Sequence, residues 1–321
     1  MSGAAVADAG GLGAIEIKVM KEKGYDMDFR DAITIASSTI GPIIPPSVPM
    51  VIYGTMAQAS TGALFLGGLI PGLLMGFSLM TFIYFISKKR DYYVGPRANF
   101  NEIWISFKDA FLSLLTPIII VGGIIFGIFT PTEAAVVASA YALILGTLVY
   151  RTLSWDNIKE VLLNTIITSS TIILIIAFAS PFSWLLASDG VSKRIMELVF
   201  SISTNPIIIL LILNIFFLII GMFLEAISVM VIVIPVLLPL VKILGIDPVH
   251  FGVVMVLNLM IGLATPPFGL SLFTIAKLEK IEPYKIYKPC LLFSIPLIIV
   301  LLLITYVPGL VLWLPRLLSL G

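Results

Sequence analysis

Two apolar runs in this chain carry the same interruption. One reads Ile40-Gly41-Pro42-Ile43-Ile44-Pro45-Pro46 and the other Ile261-Gly262-Leu263-Ala264-Thr265-Pro266-Pro267. Each run, 29 to 57 and 250 to 276, exceeds the roughly 20 residues that a membrane-crossing helix needs. Each nevertheless places a Gly and a Pro-Pro pair at its middle. Proline removes an N–H and collides with the carbonyl one turn back, so both runs free carbonyl oxygens. In hydrocarbon such oxygens find no water, and a broken helix is tolerated only where protein buries it or where it lines a cavity.

The setting is a membrane. Of 321 residues, 59% are hydrophobic and 12% charged, and the mean hydropathy is +1.13. Ordinary soluble domains carry roughly 25% charged residues, so this chain cannot clothe a water-facing surface of its size. The single cysteine, Cys290, excludes a disulfide scaffold. A net charge of +1 offers no basic face for a phosphate backbone, so no nucleic-acid partner is expected. Residues 1 to 14 lack the basic start and long apolar core of an export signal. Uninterrupted apolar stretches lie near 62 to 87, 110 to 129, 133 to 150, 161 to 179 and 289 to 313. The run 205 to 243 is about twice the length of one span and holds Gly221 and Glu225 near its middle, which reads as a helical hairpin entering and leaving on one side.

Basic residues orient these elements, because cytoplasmic loops are enriched in Lys and Arg. With 18 to 30 inside, 15 of the 19 basic residues fall inside, and only Lys193, Arg194, Lys242 and Arg316 fall outside. Counting 205 to 243 as one crossing would put the basic cluster at 277 to 288 outside and lose this asymmetry.

The two interrupted runs are copies. Their offset, 262 − 41 = 221, also pairs Ala5 with Ala226, Lys21 with Lys242, Gly24 with Gly245 and Asp26 with Asp247. The Gly24 turn is then cytoplasmic and the Gly245 turn external, so the copies are inverted. Inverted repeats whose broken helices meet near the midplane are the architecture of secondary transporters. A desolvated sodium ion suits the freed carbonyls, and half-helix N-termini suit a substrate carboxylate. An intramembrane enzyme is a poor rival: one histidine makes no metal site, and no pair of mid-membrane aspartates is present. A stand-alone ion channel also uses carbonyl-lined breaks, but the inverted repeat favours a carrier.

The motifs resemble a known family, the large membrane (M) subunit of tripartite ATP-independent periplasmic (TRAP) transporters. The resemblance covers essentially the whole chain. It rests on Ser2-Gly3-Ala4-Ala5-Val6-Ala7, on Gly41 to Ser47, on Phe129-Thr130-Pro131-Thr132-Glu133-Ala134-Ala135 and on Phe223-Leu224-Glu225. Gly245-Ile246-Asp247-Pro248-Val249-His250-Phe251-Gly252, Asn258-Leu259 and Gly262 to Pro267 complete it.

The resemblance implies an all-α polytopic membrane protein of the cytoplasmic (inner) membrane, with two re-entrant hairpins and two broken helices in an inverted-repeat, elevator-type transporter. It implies sodium-driven import of an organic anion such as a C4-dicarboxylate or a sialic acid. No catalytic residue and no cofactor are expected, and Na+ is the coupling ion. The partners would be a small four-helix membrane subunit and a periplasmic solute-binding protein. Residues 1–57 and 205–278 would form the transport domain, and 58–204 and 279–321 the scaffold. Members of the family carry further scaffold helices and an entering hairpin arm before the point where Met1 falls, so the chain is expected to be a fragment, a mis-assigned start or an inactive remnant.

On the resemblance, Ser2, Gly3, Gly41, Ile44 and Ser47 would surround one sodium ion, and Ala226, Ser228, Gly262 and Thr265 another. Pro46, Glu225, Asn258 and Pro267 would face substrate. Each has a plainer reading. The glycines serve close helix packing, and Ser and Thr bond within their helices. Glu225 either acts as a mid-membrane charge or caps the helix that follows it, and Asn258 either orients substrate or bridges helices. Glu133 reads as the acidic member of a capping box opened by Thr130, and His250 as a capping or packing residue. Lys193, Arg194, Asp189 and Glu197 form an external amphipathic face, either solvated or open to the binding protein.

Overall fold

The computed structural model describes residues 3–90, 92 and 98–318, and among them it is helical throughout, with no strand. Among the described residues, seven helices are long and apolar enough to cross a membrane. Contacts divide the chain into two compact units, one of residues 1–93 with 179–321 and one of residues 94–178.

The first unit contains both copies of the repeat. After the tip at Gly3, α1 (Ala5–Gly10) and α2 (Leu12–Glu22) form the returning arm of the first hairpin. The arm is split at Gly11, whose φ of −88° and ψ of −84° leave the helical region, a break the sequence pattern does not announce. Then come α3 (Met27–Ser38) and α4 (Val48–Ala57), the halves of the first broken helix, and α5 (Thr61–Arg90). The second copy is a hairpin of α10 (Pro206–Phe223) and α11 (Ala226–Ile243), followed by α12 (Pro248–Ala264) and α13 (Leu270–Glu279). Only Leu224 and Glu225, both extended, separate α10 from α11.

The offset of 221 holds in three dimensions. Gly24 and Gly245 both have positive φ, 77° and 66°, the left-handed conformation that a helix C-terminus reserves for glycine. Asp26 and Asp247 are both N-cap residues, and both Pro-Pro bonds are cis. The copies differ in the break. In the first, α3 stops at Ser38 and nine residues, 39–47, precede α4. In the second, α12 runs on to Ala264, so Gly262 is helical while its counterpart Gly41 is not.

Each returning arm packs on the second half-helix of the other copy, α1 on α13 and α11 on α4. At the centre lies α12, every residue of which from Val249 to Ala264 is buried, as a helix apolar on all sides requires. It is enclosed by α10, α11, α4, α5 and α14 (Tyr287–Tyr306). The apolar run 289–313 is not one span: α14 ends at Tyr306, and α15 (Gly309–Leu317) begins after Pro308. Proline cannot donate to the helical ladder, and an apolar count alone overlooks it.

The second unit comprises α6 (Phe100–Ile125), α7 (Pro131–Ile144) with a π turn at Leu145–Val149, and the first part of α8 (Trp155–Ser188). Glu133 closes the expected capping box, its Oε2 accepting from Thr130 N at 2.8 Å while Glu133 N donates to Thr130 Oγ1 at 3.3 Å. Tyr141 Oη ties α7 to α6 through Leu112 O at 2.8 Å. The amphipathic α9 (Val191–Ile202), in the first unit, presents Lys193 and Glu197 4.0 Å apart on an exposed face.

Candidate functional site

The first break is built around two glycines that leave no room for a side chain. Gly3, with φ of 70°, sits so close to the break that a Cβ there would lie 2.8 Å from Pro46 O. Val48 N donates to Gly3 O at 3.4 Å, so the hairpin tip and the start of α4 are hydrogen-bonded across the break. Ser47 caps α4 by accepting from Met50 N at 3.2 Å, and its side chain is buried. Ile44 packs its side chain against Gly72 of α5, and the Ile43 carbonyl rests on Gly68. Ser2 lies outside the described residues.

Gly41 is covered by a residue the sequence reading passed over. The Asp8 carboxylate of α1 lies directly on it, where any Cβ would stand. Asp8 is half-buried and has Val229 as its repeat counterpart, so the repeat gives no hint of it. The available signal was an acid within a small-residue hairpin at membrane depth, where a charge is functional by default.

At the second break the designated residues mostly bond to their own surroundings. Thr265 Oγ1 donates to Ile261 O at 2.7 Å and lies 3.4 Å from Ser294 Oγ of α14. Thr265 N returns to Gly262 O at 3.0 Å, and Gly269 N to Thr265 O at 3.2 Å. The Pro267 carbonyl accepts from Tyr287 Oη at 2.7 Å, another partner that sequence spacing could not reveal. Gly262 faces Gly221 of α10, and a Cβ on Gly262 would stand 2.6 Å from Gly221 C. This is the close helix packing for which small residues are used in membranes.

Ala226 is buried at the start of α11. Before it, Glu225 Oε2 accepts from Ser228 N at 3.0 Å and lies 3.4 Å from Ser228 Oγ. Glu225 is thus the N-cap of α11, and the carboxylate also complements the positive end of that helix. Asn258, fully buried, bridges helices: its Nδ2 donates to Asn214 O at 2.9 Å and to Asn214 Oδ1 at 3.0 Å, and Asn214 Nδ2 donates on to Thr305 Oγ1 at 3.0 Å. His250 is also structural, its Nε2 2.9 Å from Ile304 O.

The first unit thus brings helix N-termini at Val48, Ala226 and Leu270 to the tips and breaks. Carbonyl oxygens and half-helix N–H groups lie in segments that leave the helical ladder, with one carboxylate, Asp8, over the first break. Such a set can hold small cations and a carboxylated ligand without redox or nucleophilic chemistry. Among the described residues, no group of three or more His, Cys, Asp or Glu forms a metal centre.

Residues 1–310 match the family described as "Tripartite ATP-independent periplasmic transporter, DctM component". Among curated proteins the chain is 46% identical to the sialic acid TRAP transporter large permease protein of Vibrio cholerae, over 99% of this chain and 74% of that one. It is 36% identical to the C4-dicarboxylate TRAP transporter large permease protein of Pseudomonas aeruginosa, over 98% of this chain and 74% of the relative. It is 40% identical to the sialic acid TRAP transporter permease protein of Haemophilus influenzae, over 99% of this chain, and spans about half (52%) of that relative.

Proposed function

The chain belongs to the DctM component family of tripartite ATP-independent periplasmic transporters, a multi-pass inner-membrane permease and not an enzyme, and from that premise we propose that it imports an organic anion driven by sodium. The anion is a sialic acid, a C4-dicarboxylate or a related carboxylate, which are the substrates in the names of the relatives. A periplasmic solute-binding protein hands it over, and a small four-helix membrane subunit completes the complex.

The observation that carries this reading is the first break. A desolvated cation there meets the Asp8 carboxylate over Gly41, with the Gly3 tip bonded to the start of α4. One Na+ is held by Ser2, Gly3, Gly41, Ile44 and Ser47 with Asp8, and a second by Ala226, Ser228, Gly262 and Thr265. The hydroxyls that donate into their own helices keep lone pairs for a cation. The substrate carboxylate faces the helix N-termini near Pro46 and Pro267.

In an elevator-type cycle, the part holding both hairpins and both broken helices carries the substrate. The scaffold against which it moves comprises residues 58–204 and 279–321, with α5 and α14 packed on α3 and α12. The test is uptake of labelled sialic acid and of a labelled C4-dicarboxylate by the complete complex in proteoliposomes, with binding protein outside. Uptake should require an inward sodium gradient. Equal uptake in sodium-free buffer would overturn the reading.

A further inference from the structure

A cluster of charge is buried away from both breaks, where the stem of one broken helix meets the stem of the other. Arg30 of α3 is 7% exposed and Asp31 is 0% exposed. The Arg30 guanidinium reaches across to Glu279 of α13, with Nη2 on Oε2, and its Nε lies 3.1 Å from Asp31 Oδ1. That second contact is not a hydrogen bond: Arg30 Nε and both Asp31 carboxylate oxygens have no hydrogen-bond partner. One turn further along α3, buried Thr34 Oγ1 is likewise unpartnered.

Around Asp31, Arg30 lies on the same helix, Glu279 on α13 and Cys290 on α14, and Lys21 of α2 is an exposed cation. Within the buried core of the cluster two carboxylates share one guanidinium, an excess of one negative charge. A buried ion pair is tolerable when well hydrogen-bonded, whereas a buried charge without donors costs several kcal/mol and is relieved by neutralisation. Sodium is a poor neutraliser here, since α3 is an intact helix at this level and its carbonyls are committed to the ladder. A proton needs only the carboxylate oxygen. Of the two acids, Glu279 has the hydrogen-bonded guanidinium and Asp31 has none.

We propose that Asp31 is a proton-binding site, taking up a proton to become a carboxylic acid beside the Arg30–Glu279 ion pair as the pH falls from neutral to mildly acidic. The proton comes from bulk water at the end of α3 marked by Asp26 and returns there when the cluster opens. As an acid, Asp31 gains an O–H donor and removes the excess charge. Losing the proton would leave one uncompensated carboxylate among α3, α13 and α14. These helices are the stem leading into the first break, the stem leaving the second, and the helix that supplies Ser294 and Tyr287 to the second. Proton concentration would thereby act on both breaks at once.

Infrared spectroscopy of the full chain in nanodiscs tests this without relying on transport. The wild type should show the C=O band of a protonated carboxyl at mildly acidic pH, which disappears at alkaline pH. Asp31→Asn, which mimics the neutral acid, should lose the band and keep its fold, and its thermal unfolding midpoint should stop falling as pH rises. Absence of the band from the wild type at mildly acidic pH would overturn the proposal. So would a band that survives in Asp31→Asn and vanishes in Glu279→Gln, which would assign the proton to the other acid.

Discussion

Gly221 and Gly262 face each other where α10 crosses α12, yet the contact is not symmetric, and exchanging each for alanine should separate packing from propensity. A Cβ on Gly262 would lie 2.6 Å from Gly221 C, 2.7 Å from its Cα and 3.0 Å from its O. All three are backbone atoms that no rotamer change can move. Reaching an ordinary contact of 3.4 Å requires α10 to retreat by 3.4 − 2.6 = 0.8 Å. Overpacking of this kind costs about 1–3 kcal/mol, offset by up to about 1 kcal/mol for replacing a helix-interior glycine. With that offset taken at about 1 kcal/mol, the net expectation for Gly262→Ala is a loss of about 0–2 kcal/mol. On Gly221 a Cβ would meet Gly262 Cα and Leu259 O at 3.3 Å and Leu259 Cα at 3.4 Å. Only about 0.1 Å of adjustment is needed there, so the propensity gain prevails and Gly221→Ala should be neutral or stabilising by up to about 1 kcal/mol. Unfolding of the two variants by SDS titration in mixed micelles measures the difference. Equal losses, or a larger loss in Gly221→Ala, would refute the backbone-contact argument.

The fold was legible where the physics is one-dimensional. Apolar run lengths located the spanning helices, and the fixed offset of 221 located both broken helices and the turns at Gly24 and Gly245, because a positive φ and a Pro-Pro pair leave their mark in residue identity. Glu133, Asn258 and His250 follow from capping and helix-bridging rules and stand where those rules put them. What escaped depends on contacts between distant segments. Asp8 covers Gly41, Tyr287 satisfies Pro267 and Gly262 meets Gly221, and none of these pairs has a spacing that a pattern can read. The split at Gly11 escaped for a local reason: a glycine inside an apolar arm reads equally as packing or as a break. The end of α14 before Pro308 escaped because the residues on either side remain apolar.

Three further outcomes follow from the same contacts. Asn258→Leu removes both donations to Asn214, and buried bonds of this kind in membranes average about 0.6 kcal/mol and reach about 2; a double-mutant cycle with Asn214→Leu should show coupling, and simple additivity would dissolve the network. The Arg90 guanidinium grips Asp28 through both nitrogens, at 2.8 and 2.9 Å, and its hydrogen bonds hold the Asp28 carboxyl below the ordinary carboxylate range. A group held low contributes stability that is present above its unfolded-state value and is lost as pH falls through its folded-state value. Acidification below the usual carboxylate range should therefore remove up to about 1 kcal/mol, both partners being partly exposed, and Arg90→Gln should remove this contribution at neutral pH already. Tyr287→Phe deletes the side-chain donor to the Pro267 carbonyl. Because Pro267 lies between α12 and α13 and its carbonyl belongs to no helical ladder, the oxygen must find water, a cation or nothing. Loss of the bond alone costs about 1 kcal/mol, and an unsatisfied buried acceptor about 1–3. Thermal unfolding with and without sodium distinguishes these fates. The variant should lose stability in sodium-free buffer and recover part of it on adding sodium if the ion takes the vacated oxygen, whereas unchanged stability in both buffers would mean that Tyr287 does not support the second break.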